Sequence, residues 1–435
     1  MAQARDGAIC RVKLTFGNLT AVQARGIADA AGRFGNGIID ITNRANLQIR
    51  GVRPDGADAL IDALLELGLG PLTDRGDDVR NVMISPIAGM VSGRIDVRPL
   101  ALRVLTALQI NPSYQTLSPK FCVNIDGGES IAMVDHPHDL WLSAIDPRRL
   151  DNGFAFGVAG VAPMALHDMR PLGVVQTEQA FDLVAAVLDL FIDWNRLHPD
   201  ASRMRHMIAD TGSENLIRLI EKRVGFRVRS GTAGNWRRSL PQANGHLGII
   251  DLPDVENCLV GAMPPLGRLN PDTLRNIAEA ANRHGGSGLR LTPWQSVLLP
   301  DIPADKSKAA AESLKALGLG MIPAESIATM ISCSGSAGCG SAAAATQSDG
   351  LRLAALLAGK TGIPQIHLSG CGKSCASPLA KPVTLVAIGP GHYDIFLHAT
   401  NGPSRFGKLL ASNRTIEETA DLIGSNFGSG GPSHA

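Results

Sequence analysis

The sequence predicts an α/β protein, an α+β sandwich built as two copies of one half. Three observations carry that expectation: an ungapped internal repeat, a helix–turn–strand pattern inside each copy, and two longer segments that open on a shared short phrase. Residues 17–52 read GNLTAVQARGIADAAGRFGNGIIDITNRANLQIRGV, and residues 267–302 read GRLNPDTLRNIAEAANRHGGSGLRLTPWQSVLLPDI. One offset of 250 residues aligns Gly17 with Gly267, Leu19 with Leu269, Arg25 with Arg275, Ile27 with Ile277, Gly35 with Gly285 and Thr42 with Thr292. A match that runs through helix, turn and strand without a gap points to a duplicated unit.

Each copy is legible in order. Thr20 or Asn270 caps a helix, and Pro271 suits a first helical turn, where a missing N–H costs nothing. Apolar residues then recur at helical spacing until Gly35 or Gly285 ends the run. A short strand follows, Ile39–Ile41 or Leu289–Leu291, and then a second helix, Gly56–Leu67 or Lys306–Leu317. The longer segments come next. One contains a helical stretch, Thr177–Leu197, and they share the echo Met83-Ile84-Ser85-Pro86 and Met330-Ile331-Ser332-Cys333. The expected organisation is a first half-domain at 7–75, a first α/β domain at 78–224, a linker at 225–250, a second half-domain at 255–322 that pairs with the first, a second α/β domain at 325–425, and a disordered tail at 426–435.

Composition excludes several classes. The net charge is +1 with both signs mixed, which gives no field suited to nucleic acid. The N-terminal stretch MAQARDGAICRVKLTF lacks an apolar signal-like run, and no segment is long and apolar enough to suggest a membrane span. Seven cysteines, four of them in a paired motif, suit a reducing cytoplasmic setting better than a disulfide framework. Gly-rich stretches such as Gly68-Leu69-Gly70 lack the strand–Gly-x-Gly-x-x-Gly–helix context of a dinucleotide site and are expected to be turns.

The chemistry is concentrated in Cys333-x5-Cys339 and Cys371-x3-Cys375, within ISCSGSAGCG and HLSGCGKSCASP. Four thiolates set in Gly- and Ser-rich backbone can hold a four-iron cluster, because small residues let N–H groups approach the sulfurs. Structural zinc is the first competing reading, although its knuckles usually space cysteines more closely. Plain burial of small apolar thiols is the second.

Here the chain resembles the sulfite and nitrite reductase superfamily. The likeness rests on His367-x-Ser369-Gly370-Cys371-x3-Cys375-Ala376, on Thr42-Asn43-Arg44-x-Asn46-Leu47-Gln48, on Arg80-Asn81-Val82 and on Lys120-Phe121. It implies ferredoxin-like half-domains in duplicated, pseudo-twofold reductase-like halves around a tetrapyrrole, with a [4Fe–4S] cluster on Cys333, Cys339, Cys371 and Cys375. It also implies that Arg44, Arg80 and Lys120 face the guest's acidic edge. Three departures stand out. Cys122 occupies the place of a second reductase lysine, Gly372-Lys373-Ser374 lies between the last two cysteines, and Leu289-Arg290-Leu291-Thr292-Pro293-Trp294 ends the second repeat's strand. These resemble the precorrin-3B synthase branch of that superfamily.

That resemblance implies O2-dependent oxidation of precorrin-3A, with hydroxylation at C20 and a γ-lactone from the ring A acetate to C1. A sirohaem-dependent sulfite or nitrite reductase is the alternative. Arg44, Arg50, Arg80, Lys120, Arg290 and Lys373 become candidate carboxylate-binding residues, since a guanidinium can grip a carboxylate bidentately. The branch further implies a mononuclear non-haem iron, for which the densest donor run is Asp135-His136-Pro137-His138-Asp139, with His136 and His138 as ligands. His367 is expected as a substrate contact or as a satisfied core histidine. The basic run Arg218, Lys222, Arg223, Arg227, Arg229, Arg237 and Arg238 suits either tetrapyrrole carboxylates or an acidic electron donor. With no flavin or nicotinamide motif visible, electrons are expected from an external ferredoxin or reductase.

Overall fold

Short strands and one-sided helices assemble into four five-stranded sheets among the described residues. The computed structural model describes residues 1–145, 153–230, 234–253, 255–377, 379–399 and 404–428. It divides into two compact units: residues 1–69, 246–251 and 256 onward form one, and residues 70–245 with 252–255 form the other.

In the first unit the two repeats exchange strands. One sheet holds β1 (Ala2–Ala4), β2 (Gly7–Val12), β5 (Leu47–Val52), β4 (Ile39–Ile41) and, at its edge, β13 (Arg268–Leu269) from the second repeat. The other holds β11 (Gly248–Ile250), β12 (Asn257–Ala262), β15 (Val297–Pro303), β14 (Leu289–Leu291) and β3 (Asn18–Leu19) from the first repeat. The registers mirror one another. Arg268 faces Asp40 and Leu269 faces Ile39, while Asn18 faces Arg290 and Leu19 faces Leu289. Adding 250 to one set of pairings gives the other. This is the self-complementary logic of a twofold dimer written within one chain.

The helices Ala21–Phe34 and Pro271–Arg283 pack against each other with the same reciprocity. Arg25 pairs with Glu279 at 3.3 Å, and Arg275 pairs with Asp29 at 2.9 Å. Thr20 and Gln23 form a capping box, and Asn270 accepts the Thr273 N–H at 2.8 Å. Ile27, Ala28, Ala31, Ile277, Ala278 and Ala281 are all fully buried in one core shared by both repeats. Duplication extends to backbone that L-residues rarely adopt. Phe16 and Leu266, Gly17 and Gly267, and Ala45 and Gln295 all have φ between 54° and 75°. Gly17 is required as well for space, because a Cβ there would lie 2.4 Å from the Leu291 carbonyl oxygen. The second helices of the repeats span Ala57–Glu66 and Ser307–Ala316, each entered through a 3-10 turn, so the boundaries read from sequence shift by a residue at each end.

The same unit carries a sheet of β16 (Met330–Ser332), β17 (Ile366–Ser369), β18 (Val383–Gly389), β19 (His392–Leu397) and β20 (Lys408–Arg414) in sequence order. The first three strands are parallel and the last two antiparallel. Ile366 and Leu368 pack with the helices Thr346–Leu356 and Ile416–Phe427, and strand alternation leaves His367 and Ser369 on the opposite face. Asn426 and Phe427, expected in the tail, belong to that last helix, and residues 429–435 lie outside the described residues.

The second unit repeats this sheet. Strands β6 (Val82–Met83), β7 (Val123–Asp126), β8 (His138–Ala144), β9 (Gly153–Gly160) and β10 (Gly173–Gln176) run in order, parallel through β8 and antiparallel after it. Met83 and Met330 therefore both lie on the first strand of like sheets. Helices Arg98–Ile110, Ala180–Leu197, Met204–Thr211 and Ser213–Val224 complete the unit.

The expected linker at 225–250 is instead built into the folded units. Arg229 exchanges backbone hydrogen bonds with Val174, and Trp236 stacks on Trp141 with centroids 6.4 Å apart. The buried Arg238 guanidinium donates to Asp126 at 2.6 and 3.1 Å and to the Glu129 carbonyl oxygen. Polar composition suggested a loose connection, but a buried ion pair and a half-buried, stacked indole hold it; residues 231–233 lie outside the described residues. Arg238→Ala strands a buried carboxylate, so urea unfolding should show a loss of about 3–5 kcal/mol. Adding Asp126→Asn should recover part of it.

Candidate iron–sulfur and ligand site

The four motif cysteines come together at the end of the sheet that starts with β16. Cys333 follows β16 and Cys371 follows β17, two adjacent parallel strands, so the topology delivers both loops to one edge. All four are free thiols. The Gly370 N–H donates to Cys333 Sγ at 3.1 Å, the Ala343 N–H donates to the Gly370 carbonyl oxygen at 2.8 Å, and Thr346 Oγ1 donates to the Cys333 carbonyl oxygen at 2.9 Å. Burial pushes the Cys375 thiol pKa up, and the fields of Cys371, Cys333 and Cys339 push it further, with Lys373 opposing them. Cys375 is therefore within electrostatic reach of the other three sulfurs. Gly370 makes the cradle: a Cβ there would lie 2.5 Å from the Ala342 Cβ and 3.3 Å from Cys333 Sγ. Four thiols, a backbone N–H aimed at a sulfur and a side-chain-free wall fit a four-iron cluster.

The candidate cations of this unit take different places. Arg44 is half-buried in a turn where Thr42 Oγ1 accepts the N–H groups of Arg44 and Asn46 at 3.3 and 3.1 Å. Lys373 is exposed on the second cysteine loop and donates to Ser341 Oγ at 3.2 Å. Arg290 is half-buried on β14. Arg50 is not a rim residue: it is 1% exposed and held by Asp6 and Asp40. Burial works against its charge, but the hydrogen bond to Asp6 and the field of Asp40 outweigh that and raise its pKa.

The second repeat's turn repeats that of Arg44 and puts Trp294 at the equivalent place. Its ring stacks on His246 at 4.7 Å, with the planes 3° apart. His246 is buried, bonded to Ser296 Oγ at 2.9 Å, and burial drives its pKa down to about 3. His367 is not a satisfied core histidine. Both ring nitrogens are buried with no hydrogen-bond partner, and burial, then the charges of Lys381 and Arg405, lower its pKa to about 3.

In the second unit, Arg80 donates to Asp77 at 2.6 Å and to the Gly70 carbonyl oxygen at 3.0 Å, while Lys120 is exposed. Cys122 is buried, with its N–H donated to Asp139 at 3.1 Å. His136 and His138 have ring centroids 5.0 Å apart. Their neighbour Asp139 is engaged by Arg203 at 2.9 Å and by the Met204 N–H at 3.0 Å, and Asp135 is exposed. Among the described residues no group of three or more His, Cys, Asp or Glu side chains is placed to hold a single ion. The run therefore does not fit the expected mononuclear iron, because internal pairing consumes its buried carboxylate. A cluster is a different case, since each thiolate binds a different iron.

Much of the expected basic surface is likewise spent internally. Arg223 pairs with Asp193 and Asp189, Arg227 with Glu221, and Arg238 with Asp126, while Arg237 donates to four carbonyl oxygens. One residue went unnoticed in the sequence. Glu129 is fully buried after β7, and burial, then the Asp126 charge, push its pKa up to about 7. One of its oxygens takes the Gly127 N–H and the other is buried without a partner. A buried carboxyl that titrates near neutrality can hold or release a proton. Its one signal was Asp-Gly-Gly-Glu closing an apolar strand.

Comparison with known proteins accounts for this architecture. The family model for the nitrite and sulphite reductase 4Fe-4S domain matches residues 75–228, and that for the nitrite/sulfite reductase ferredoxin-like half domain matches residues 2–67 and 250–317. The chain belongs to the nitrite and sulfite reductase superfamily. The first match falls on the α/β copy without the paired cysteines, consistent with a fold common to both copies. Within the superfamily the chain is 29% identical to a chloroplastic ferredoxin–nitrite reductase of Arabidopsis thaliana, over 84% of this chain and 64% of that one. The chain thus spans somewhat less than two thirds of that reductase. It is 28% identical to a precorrin-3B synthase of Sinorhizobium sp, over 98% of this chain and 90% of that one. The structure of the Mycobacterium tuberculosis NirA protein superimposes with a TM-score of 0.76 at 21% identity, covering 98% of this chain and 82% of that one.

Two outcomes test the site. Gly370→Ala should cut iron and sulfide bound per chain about tenfold after reconstitution, the scale of an overpacked core, with far-UV dichroism unchanged. His246 and His367 stay neutral when folded down to about pH 3, whereas unfolded histidine takes its proton near 6.5. Stability should therefore be complete above pH 6.5 and fall as pH drops toward 3, by up to about 1.4 kcal/mol per pH unit for each ring. Urea titrations of His246→Phe should show that acid slope reduced by one proton.

Proposed function

We propose that this chain oxidises precorrin-3A to precorrin-3B with O2. The observation that carries the reading is end-to-end alignment with a precorrin-3B synthase, covering 98% of this chain and 90% of that relative. Two local features support it. Cys122, buried with its amide tied to Asp139, stands where the reductases carry the second of two lysines for clamping a small oxyanion. Lys373 adds a cation to the second cysteine loop, exposed and available to a guest with several carboxylates.

In this reading Arg44, Arg290 and Lys373, all in the unit that carries the cysteines, hold acetate and propionate arms of the substrate. Planar guanidinium forks suit carboxylates, and Lys supplies a point charge. A bound [4Fe–4S] cluster would supply electrons singly from an external ferredoxin or reductase. The overall balance takes precorrin-3A, O2, two electrons and two protons to the hydroxylactone and water. One oxygen atom becomes the C20 hydroxyl, the other leaves as water, and the ring A acetate closes onto C1. The unpartnered Glu129 oxygen, on a carboxyl that titrates near neutrality, suits a proton-holding role in the same unit as Arg80 and Lys120.

Similarity to nitrite reductases, and 26% identity to a ferredoxin sulfite reductase of Mycolicibacterium paratuberculosis, favour a second reading, sirohaem-dependent reduction of a small oxyanion. Incubation with precorrin-3A and 18O2 separates the two. A product one labelled oxygen heavier is expected, and Cys371→Ser should lose cluster absorbance and product together. Strong sirohaem bands in the purified protein, with nitrite or sulfite turnover, would overturn the proposal.

A further inference from the structure

Among the described residues of the unit that carries the cysteines, Arg50 is the most buried large charged side chain, and its guanidinium is fully committed. Nη2 and Nε donate to the two Asp6 oxygens at 2.8 and 2.9 Å, and Nη1 donates to Asp40 at 3.2 Å. The remaining reach goes to the first cysteine loop. Nη1 donates to Ser334 Oγ at 3.1 Å and Nη2 to the Gly338 carbonyl oxygen at 3.0 Å, with the Arg5 N–H also directed at that oxygen. Ser334 follows Cys333 directly and Gly338 precedes Cys339, so one side chain holds both ends of the five-residue span between the two thiols. The fit is tight: a Cβ on Gly338 would lie 2.3 Å from Arg50 Nη2.

The clamp is anchored in the repeat interface. Asp40 also pairs with Arg268 at 2.8 Å, and Arg268 lies on the strand exchanged from the second repeat. The counterparts of Asp40 and Arg50 at the 250-residue offset are Arg290 and Pro300, so the second repeat cannot build the same device. It exists only on the side that meets the cysteines.

We infer that Arg50 is a positioning residue for the Cys333–Cys339 loop, fixing the separation and direction of these two thiols before a cluster arrives and while it is held. The inference rests on the cluster reading but not on the choice of substrate. Arginine is needed because the task is planar and divergent: two parallel bonds to one carboxylate, one to a second, and two to a loop. Lysine carries the charge but lacks the fork.

The deciding measurement is made on the full chain without a cluster. Iodoacetamide alkylation, read peptide by peptide, gives the rate for Cys333 and Cys339 relative to Cys371 and Cys375. Arg50→Gln should raise that ratio about tenfold, the scale of one lost charge-assisted hydrogen bond, with Arg50→Lys in between. Should the buried substitution prevent folding, Ser334→Ala removes one clamp bond at a half-buried site and should raise the ratio about threefold, toward the lower end of the range for a single hydrogen bond. A wild-type ratio in every folded variant would overturn the inference. On reconstituted protein, loss of cluster absorbance to a chelator should be faster in Arg50→Lys than in wild type, and equal rates would count against it. Failure of the wild-type chain to take up iron would refute the cluster reading alone, since the alkylation ratio is read without a cluster.

Discussion

Two two-residue strands cross between the repeats, and most of the first unit depends on them. Asn18 and Leu19 close the edge of the second repeat's sheet, and Arg268 and Leu269 close the edge of the first. Without the exchange, β4 and β14 would each present an open row of N–H and C=O groups, a liability for any sheet. With it, the helices Ala21–Phe34 and Pro271–Arg283 are drawn face to face, and Ile27 and Ile277 are buried in one core. Neither repeat has a complete sheet of its own. The reciprocal pairs Arg25–Glu279 and Arg275–Asp29 sit over that contact, where exposed ion pairs set direction more than stability.

A symmetric scaffold then carries asymmetric chemistry. At equivalent turns the first repeat presents Arg44 and the second Trp294, which lies flat on a buried neutral His246. Asp40 and Arg50 oppose Arg290 and Pro300. Two like sheets diverge in the same manner. The loops after β16 and β17 bear thiols with a glycine wall, whereas β7 leads into Glu129, buried beside an Asp126–Arg238 ion pair. Duplication supplies two sets of strand ends, and substitution at a few of them turned one set toward a cluster. Arg50 joins the two themes, because its partner Asp40 also binds Arg268 of the exchanged strand while its other bonds reach the cysteine loop.

Legibility followed the range of the forces involved. Thr20, Asn270 and Gly35 end or begin helices through bonds within a few residues, so their roles were readable in the chain. The strands Ile39–Ile41 and Leu289–Leu291 were readable because alternating burial is a local pattern. Ion pairing was not. Arg238 looked like part of a basic surface, but its partner Asp126 is 112 residues away, and Arg50 looked like a rim cation while its loop partners are 284 and 288 residues away. His136 and His138 are close, as their spacing suggested, yet Arg203 takes the buried carboxylate beside them.

By itself the sequence determined the duplication, the helices and strands inside each repeat, and the four cysteines of one site, because those follow from periodicity, capping and side-chain chemistry that each residue carries with it. The tertiary structure alone decided that the repeats trade strands and that the apparent linker is held by a buried ion pair. It also decided that Arg50 serves the cysteine loop, that His367 is buried without a partner, and that Glu129 titrates near neutrality. The strand exchange depends on which distant backbone completes a sheet edge, and the rest on which groups remove water from a polar side chain and which replace it. That choice is made only when the chain closes on itself.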